Sequence, residues 1–455
     1  MKIVFSLIVL AGIGATGADF GNGWRLRAQE RGKVPVVMIS IDGLKPDYVL
    51  EAGRLGWKLP NLTAMVKEGA FAEGVIGVTP TVTYPSHTTL ITGAAPARHG
   101  IVANTPFDPF GKNLGGWYWY AEDIRVKTLW QSANEAGLVT ASIDWPVSVG
   151  ADVRYNIVQF WRARTEDDFK LNRALSTKGL VAEAERDCGP FPTAYQFDLE
   201  GDIKRAKFLV WMLEKKRPDF MTGYFSSLDE DQHHTGPYTP ETRVTLERID
   251  GLIGEVHRAA LSLGGGRAVL GIVSDHGHIL SDNELHLNAA LREAGLLEID
   301  EQGKMKSWRA MAWSSSGSAA VLIKDAGDRE AAGKVRELLA KLHGDSSNGI
   351  ERVVEGEDAR ALAGFPGAAF IVGMRPGYRV GGALTGAVFR KGRPGGTHGY
   401  LPGDRGMDAS FFITGPGVPT GKNLGRIDMR DIAPTVAALM GVELPQAEGR
   451  NLIKK

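Results

Sequence analysis

Three apolar, β-branched runs that each stop at an aspartate constrain this chain more than any other feature. VPVVMISI (Val34 to Ile41) is followed at once by Asp42, FMTGYFSSL (Phe220 to Leu228) by Asp229, and AVLGIVS (Ala268 to Ser274) by Asp275. A run that is apolar on both faces reads as a strand covered on both sides, the condition of a parallel sheet in an α/β protein. Between the second and third runs, Leu246, Ile249, Leu252, Ile253 and Val256 recur at helical spacing, and Gly264 to Gly266 stop the pattern. The result is a β-α-β unit. A further helix is predicted from about Gly201 to Lys216, directly before the second run. In open sheets of this kind ligands bind beyond the carboxyl ends of the strands, where all three aspartates fall.

Seven of the ten histidines (His87, His99, His233, His234, His276, His278 and His398) sit in short polar clusters beside glycine, proline or aspartate. The clusters DEDQHHTGP from Asp229, SDHGH from Ser274 and GGTHGY from Gly395 offer imidazole and carboxylate together. That donor set suits zinc or another divalent transition metal better than calcium. A single Asp-His pair reads equally as a hydrogen-bonded cap; three clusters plus Asp42 point to a metal site. The segment TPTVTYPSHTTLITG (Thr79 to Gly93) adds a hydroxyl. Pro85 fits the first turn of a helix through Thr88 to Ile91, so Thr83 would precede a helix N-terminus, where amides and dipole favour an anion. Taken alone, the same position also reads as a helix cap.

The 455 residues suffice for one large elaborated domain or two smaller ones. Lys plus Arg and Asp plus Glu both number 53, so there is no general basic footprint for a nucleic-acid duplex. Residues 1–18, MKIVFSLIVLAGIGATGA, have one lysine, an apolar run and small residues before Ala18. They read as a signal peptide, too short for a stable membrane span, and imply a periplasmic or secreted protein. Cys188 is the single cysteine, so no internal disulfide forms, and no neighbour in sequence would activate its thiolate. The catalytic domain is expected over 30–452, and about 285–395, where strand-helix alternation lapses, is expected to be an inserted lobe.

The ordered motifs resemble the nucleotide pyrophosphatase/phosphodiesterases of the alkaline phosphatase superfamily. Asp42 in SIDG, Thr83 in TYPSH, Asn104 in HGIVANTPFDP 21 residues later, Asp229 and His233 before Gly236-Pro237, Asp275-His276 in SDHGH, and His398 in GGTHGY carry the resemblance. It implies an α/β alkaline phosphatase-like sandwich with a mostly parallel central sheet flanked by helices, plus a smaller inserted lobe. It also implies two zinc ions, one held by Asp229, His233 and His398 and the other by Asp42, Thr83, Asp275 and His276. Thr83 would be the nucleophile that forms a threonyl-phosphoryl intermediate, with Asn104 and the Tyr84 amide on a non-bridging oxygen. Tyr84 and Tyr224 would flank a nucleobase, although Tyr224 also reads as a packed strand residue.

Within that superfamily, the sulfatases' C/S-x-P-x-R is not matched, because threonine and histidine stand at the outer positions of Thr83 to His87. The Lys-x-Arg pair of threonine-using monoesterases has no counterpart in SIDWPVSVGA (Ser142 to Ala151). A small-molecule phosphodiester or nucleotide substrate is therefore the expectation. The alternatives are a phosphomonoesterase or phosphonate hydrolase on the same scaffold, or a non-catalytic metal-binding protein. Trp117 to Tyr120 would either line the pocket or pack beneath the inserted lobe, and His87, His234 and His278 read as hydrogen-bonding residues rather than ligands.

Overall fold

The computed structural model describes residues 34–162, 165–192 and 196–453. The expected signal peptide lies outside the described residues. Along the chain come β1 (Val36–Ile41), helix α1 (Thr83–Thr92), β2 (Thr140–Ile143) and β3 (Tyr155–Ile157). Helix α2 (Leu199–Trp211), β4 (Phe220–Phe225), helix α3 (Ser227–Thr235), helix α4 (Pro240–Leu263) and β5 (Val269–Val273) follow. After β5 the chain builds β6 (Ile279–Leu285), β7 (Ala310–Ser314), β8 (Ser318–Ile323), β9 (Ile350–Glu355), β10 (Ala368–Met374), β11 (Gly377–Val380) and β12 (Phe389–Thr397). It then returns through β13 (Phe411–Thr414) and helix α5 (Ile432–Met440).

The main sheet has eight strands, in the order Lys422–Asn423, Ala70–Phe71, β13, β5, β1, β4, β2, β3. β1 lies at its centre and pairs in parallel with β4 and β5; β13 runs antiparallel beside β5. All six residues of β1 are buried, and alternation divides them between two cores. Val37, Ile39 and Ile41 pack with Phe208, Leu246 and Ile249 of the helices on one face. Val36 and Met38 pack with Trp130, Phe411 and Val436 on the other. A strand buried on both faces thus joins two helical layers. Thr239 caps α4 through its hydroxyl, Pro240 opens the helix, and it ends at Gly264.

β7, β8, β10 and β9 form a four-stranded antiparallel sheet, and β11, β6 and β12 a three-stranded one. Leu285, Leu291, Val321, Val335, Leu339 and Val372 belong to a third hydrophobic core that serves these sheets. No helix among the described residues is long and apolar enough to cross a membrane.

Candidate active site

Register places the first two carboxylates together. Ser40 of β1 pairs with Val273 of β5, so Asp42 and Asp275 each stand two residues beyond paired positions at the same sheet edge. Gly43, at a φ of 69°, turns its amide onto Asp275 Oδ1 at 3.1 Å. Asp229 reaches the site differently from the sequence expectation. The second run ends as a strand at Phe225, and Ser227 opens α3. The carboxylate of Asp202 in α2 accepts from the amides of Ser226 and Ser227, satisfying two donors that a new helix leaves unpaired. Asp229 and His233 then lie one helical turn apart, with His233 Nε2 3.2 Å from Asp229 Oδ2.

Two donor groups result, one of Asp42, Asp275 and His276 and the other of Asp229, His276, His278 and His398. His276 Nε2 lies 3.1 Å from Asp275 Oδ2 and 3.5 Å from Asp42 Oδ1, and its ring stacks on that of His398 at 3.7 Å. The other ring nitrogens face backbone carbonyls: His233 Nδ1 on Gly396 at 3.0 Å, His276 Nδ1 on Gly277 at 3.1 Å and His398 Nδ1 on Thr81 at 3.3 Å. Each contact favours the tautomer whose Nε2 carries a lone pair toward the centre. Asp42 Oδ1, Asp275 Oδ2 and His276 Nε2 are buried without a hydrogen-bond partner. Such atoms are costly unless something else satisfies them, and three of them converging from Asp and His form a donor set that fits a divalent transition metal. His278 hydrogen-bonds Asp229, with Nε2 2.5 Å from Asp229 Oδ1, as its reading as a hydrogen-bonding residue expects, and it also belongs to the second donor group, of which His233 is not a member.

Charge within the site is strongly interdependent. Burial, then the carboxylates of Asp275 and Asp229, pushes Asp42 well above the usual carboxylate range. Burial acts on Asp229 in the same sense, but His233 and His278 outweigh it and hold this carboxyl well below that range. Burial lowers His278 to about 4, whereas Asp229 overcomes burial at His233 and raises it to about 9. A cation among these groups would relieve the repulsion between the carboxylates.

Thr83 is the first residue of α1 rather than the one before it, and Val82 occupies the cap position. Its hydroxyl caps nothing and makes no hydrogen bond among the described residues; the side chain is 8% exposed and opens on a cleft of about 400 Å³. His87 fixes this turn, with Nδ1 2.8 Å from the Thr83 carbonyl and Nε2 2.8 Å from Ser40 Oγ. Asn104 stands beside it. The Tyr84 amide donates to Asn104 Oδ1 at 2.9 Å, so the two groups expected to act as parallel donors are bonded to each other.

Asp42, Thr83, Asp229 and His233 share the cleft wall with Tyr84, Tyr224, Trp117, Trp161 and Phe197. Tyr84 lies 5.1 Å from Trp117 and its hydroxyl donates to Gln159. Tyr224 donates its hydroxyl to Asp42 Oδ2. Trp117 to Tyr120 do not pack beneath the sheets of residues 285–395: Trp117 borders the cleft, and Trp119 packs on Phe160 at 4.6 Å. The sequence reading missed Trp161, Phe197 and Arg162, which reach the cleft from loops without a spacing pattern. His234 lies at the surface beside Glu230.

The profile of the type I phosphodiesterase / nucleotide pyrophosphatase family matches residues 36–401. The chain belongs to this family. The chain is 26% identical over 257 residues to human ectonucleotide pyrophosphatase/phosphodiesterase family member 1, covering 53% of this chain and 23% of the relative. It is 25% identical over 233 residues to the venom phosphodiesterase of Naja atra, covering 48% of this chain and 23% of that one. The chain therefore spans about a quarter of the length of these curated relatives. Human ectonucleotide pyrophosphatase / phosphodiesterase 5 superposes with a TM-score of 0.62 at 19% identity, over 90% of this chain and 95% of the other. An inactive form of the murine protein in complex with AMP superposes at 0.63 with 18% identity, over 91% and 97%. The fold is therefore alkaline phosphatase-like, with a mostly parallel sheet between helices.

Proposed function

We propose that this protein is an exported hydrolase of phosphodiester or pyrophosphate bonds in nucleotide-like substrates, working through a threonyl-phosphoryl intermediate at Thr83. The observation that carries the reading is the convergence of unpartnered Asp42 Oδ1, Asp275 Oδ2 and His276 Nε2, with Thr83 and Asp42 lining one aromatic cleft. Asp42, Thr83, Asp275 and His276 would hold one zinc ion, and Asp229, His233 and His398 a second. Bound there, the ions would supply Lewis acidity to the attacking and departing oxygens.

The chain's own groups do the positioning. Thr83 stands at the N-terminus of a ten-residue helix, where amides and dipole stabilise negative charge on its oxygen and on the phosphoryl group. Thr83 Oγ1 gives up its proton and bonds to phosphorus, the bond from phosphorus to the departing oxygen breaks, and that oxygen takes up a proton. Water then cleaves the threonyl ester, restoring the hydroxyl and releasing a phosphomonoester. Two inversions give retention at phosphorus. With Asn104 Oδ1 accepting the Tyr84 amide, Asn104 Nδ2 would donate to a non-bridging oxygen. The flat faces of Trp117 and Trp161 suit a nucleobase, with the fully buried Tyr84 packed behind them, in keeping with the AMP complex of the murine relative.

Arg162 gives a phosphomonoesterase reading its one specific support, because it brings a guanidinium to the cleft and is the single one among the described residues lining it. The deciding experiment compares kcat/KM of the zinc-loaded protein for a nitrophenyl nucleotide diester and for nitrophenyl phosphate, with Thr83→Ala as blank. A diester preference abolished in the variant supports the proposal; a monoester preference, or a variant with full activity, overturns it.

A further inference from the structure

A second cleft of about 310 Å³ adjoins the first, and Gly115 lines both. One wall begins at Thr105, directly after Asn104, and includes Phe107; the other is β7, through Met311 and Trp313. The β7 wall is tied to the metal-site histidine. Ser316, two residues beyond β7, lies 2.5 Å from Thr397 between their hydroxyl oxygens, and the Gly317 amide donates to the His398 carbonyl at 2.9 Å. The cleft is thus flanked by the residue after Asn104 and by a strand whose following turn is hydrogen-bonded to Thr397 and His398.

We infer that this second cleft is the leaving-group subsite, and that it takes a planar ring such as a second nucleoside or an aryl group rather than a phosphate chain. The inference rests on the phosphodiesterase reading above. A diester carries two substituents, one retained on phosphorus and one expelled, and the two adjoining clefts offer one site for each. Trp313 and Phe107 supply aromatic surface, with ring centres 5.6 Å apart. No lysine, arginine or histidine is among the described residues lining this cleft, and its one charged side chain is the carboxylate of Asp108. Departing pyrophosphate finds no counter-charge there, whereas a ring gains stacking area.

The test uses the zinc-loaded full chain with a dinucleoside monophosphate and a nucleoside triphosphate, comparing wild type with Trp313→Ala and Gly382→Phe. Gly382 lines the cleft and a Cβ built on it meets nothing within 4 Å, so a side chain can start there without a clash and its ring competes for the cleft. Loss of one stacked base predicts a fall of about tenfold or more in kcat/KM for the dinucleotide, mainly through KM, with triphosphate cleavage little changed. Equal losses on both substrates in both variants, or no loss on either, overturn the subsite while leaving the phosphodiesterase reading intact. A wild-type protein that cleaves neither substrate removes both.

Discussion

The hydroxyl of Tyr224 donates to Asp42 Oδ2, and the opposite oxygen of that carboxylate, Oδ1, is unpartnered and belongs to the donor group of Asp42, Asp275 and His276. One side chain thereby both borders the cleft and orients a carboxylate of the candidate metal site. Tyr224→Phe keeps the ring and deletes only the hydrogen bond. Loss of such a supporting contact typically lowers metal affinity by about 10- to 100-fold. Zinc titration against a chromophoric chelator should show that loss, while KM for a nucleotide diester, measured at saturating zinc, stays near the wild-type value. An unchanged zinc affinity would rule out the orienting role.

Gly277 separates His276 from His278, and a Cβ built there would lie 2.2 Å from the Gly406 carbonyl oxygen. That neighbour is backbone, so relief requires the loop itself to move. Gly277→Ala is expected to displace both histidines and to weaken zinc binding far more than it lowers global stability. Parallel chelator titration and urea unfolding separate the two effects.

Arg205, 2% exposed, bonds Asp202 Oδ1 at 2.9 Å and pairs with Asp144 Oδ2 at 2.5 Å. Asp202 in turn receives the amides that open α3. Removing one partner of such a buried cluster leaves charge uncompensated and costs about 3–5 kcal/mol. Arg205→Met should show a loss of that size by denaturant unfolding, and its residual activity should fall further than Arg205→Lys, which keeps the charge.

His99 is buried and accepts the Ile101 amide on Nδ1 at 3.1 Å, with Nε2 3.1 Å from Thr89 Oγ1. Burial lowers it to about 3 from the ordinary 6.5. Above pH 6.5 the group is neutral in both states and contributes no pH dependence. As the pH falls below 6.5 the unfolded chain takes up a proton that the folded one refuses, so stability drops, by about 2 kcal/mol at pH 5. His99→Gln should show a smaller difference in urea midpoint between pH 7 and pH 5 than wild type.

The parts of this site that rest on local pattern were legible in the sequence. Asp42 and Asp275 end runs whose two-faced apolarity marks them as interior strands, and burial on both faces of β1 gives that pattern its cause. Asp229 was legible as a residue but not as an element, because Ser226 and Ser227 continue a strand-like run and the carboxylate that turns them into a helix start lies in α2, at Asp202. The aromatic wall was harder still. Trp161 and Phe197 stand in loops and meet at 5.4 Å, a proximity no periodicity encodes. The engagement of His278 with Asp229, 49 residues apart, depends likewise on the tertiary fold.

The backbone of His398 is held between Gly317, whose amide it receives, and Gly399, whose amide donates to the Thr81 carbonyl. His398 lies 169 residues after Asp229, with which it shares a donor group. During synthesis, the strands of the main sheet that carry Asp42 and Asp275 leave the ribosome long before the last donor does. A polypeptide cut short anywhere before residue 398 lacks one member of the group formed by Asp229, His276, His278 and His398, so on the proposed reading a prematurely terminated product has an incomplete donor set.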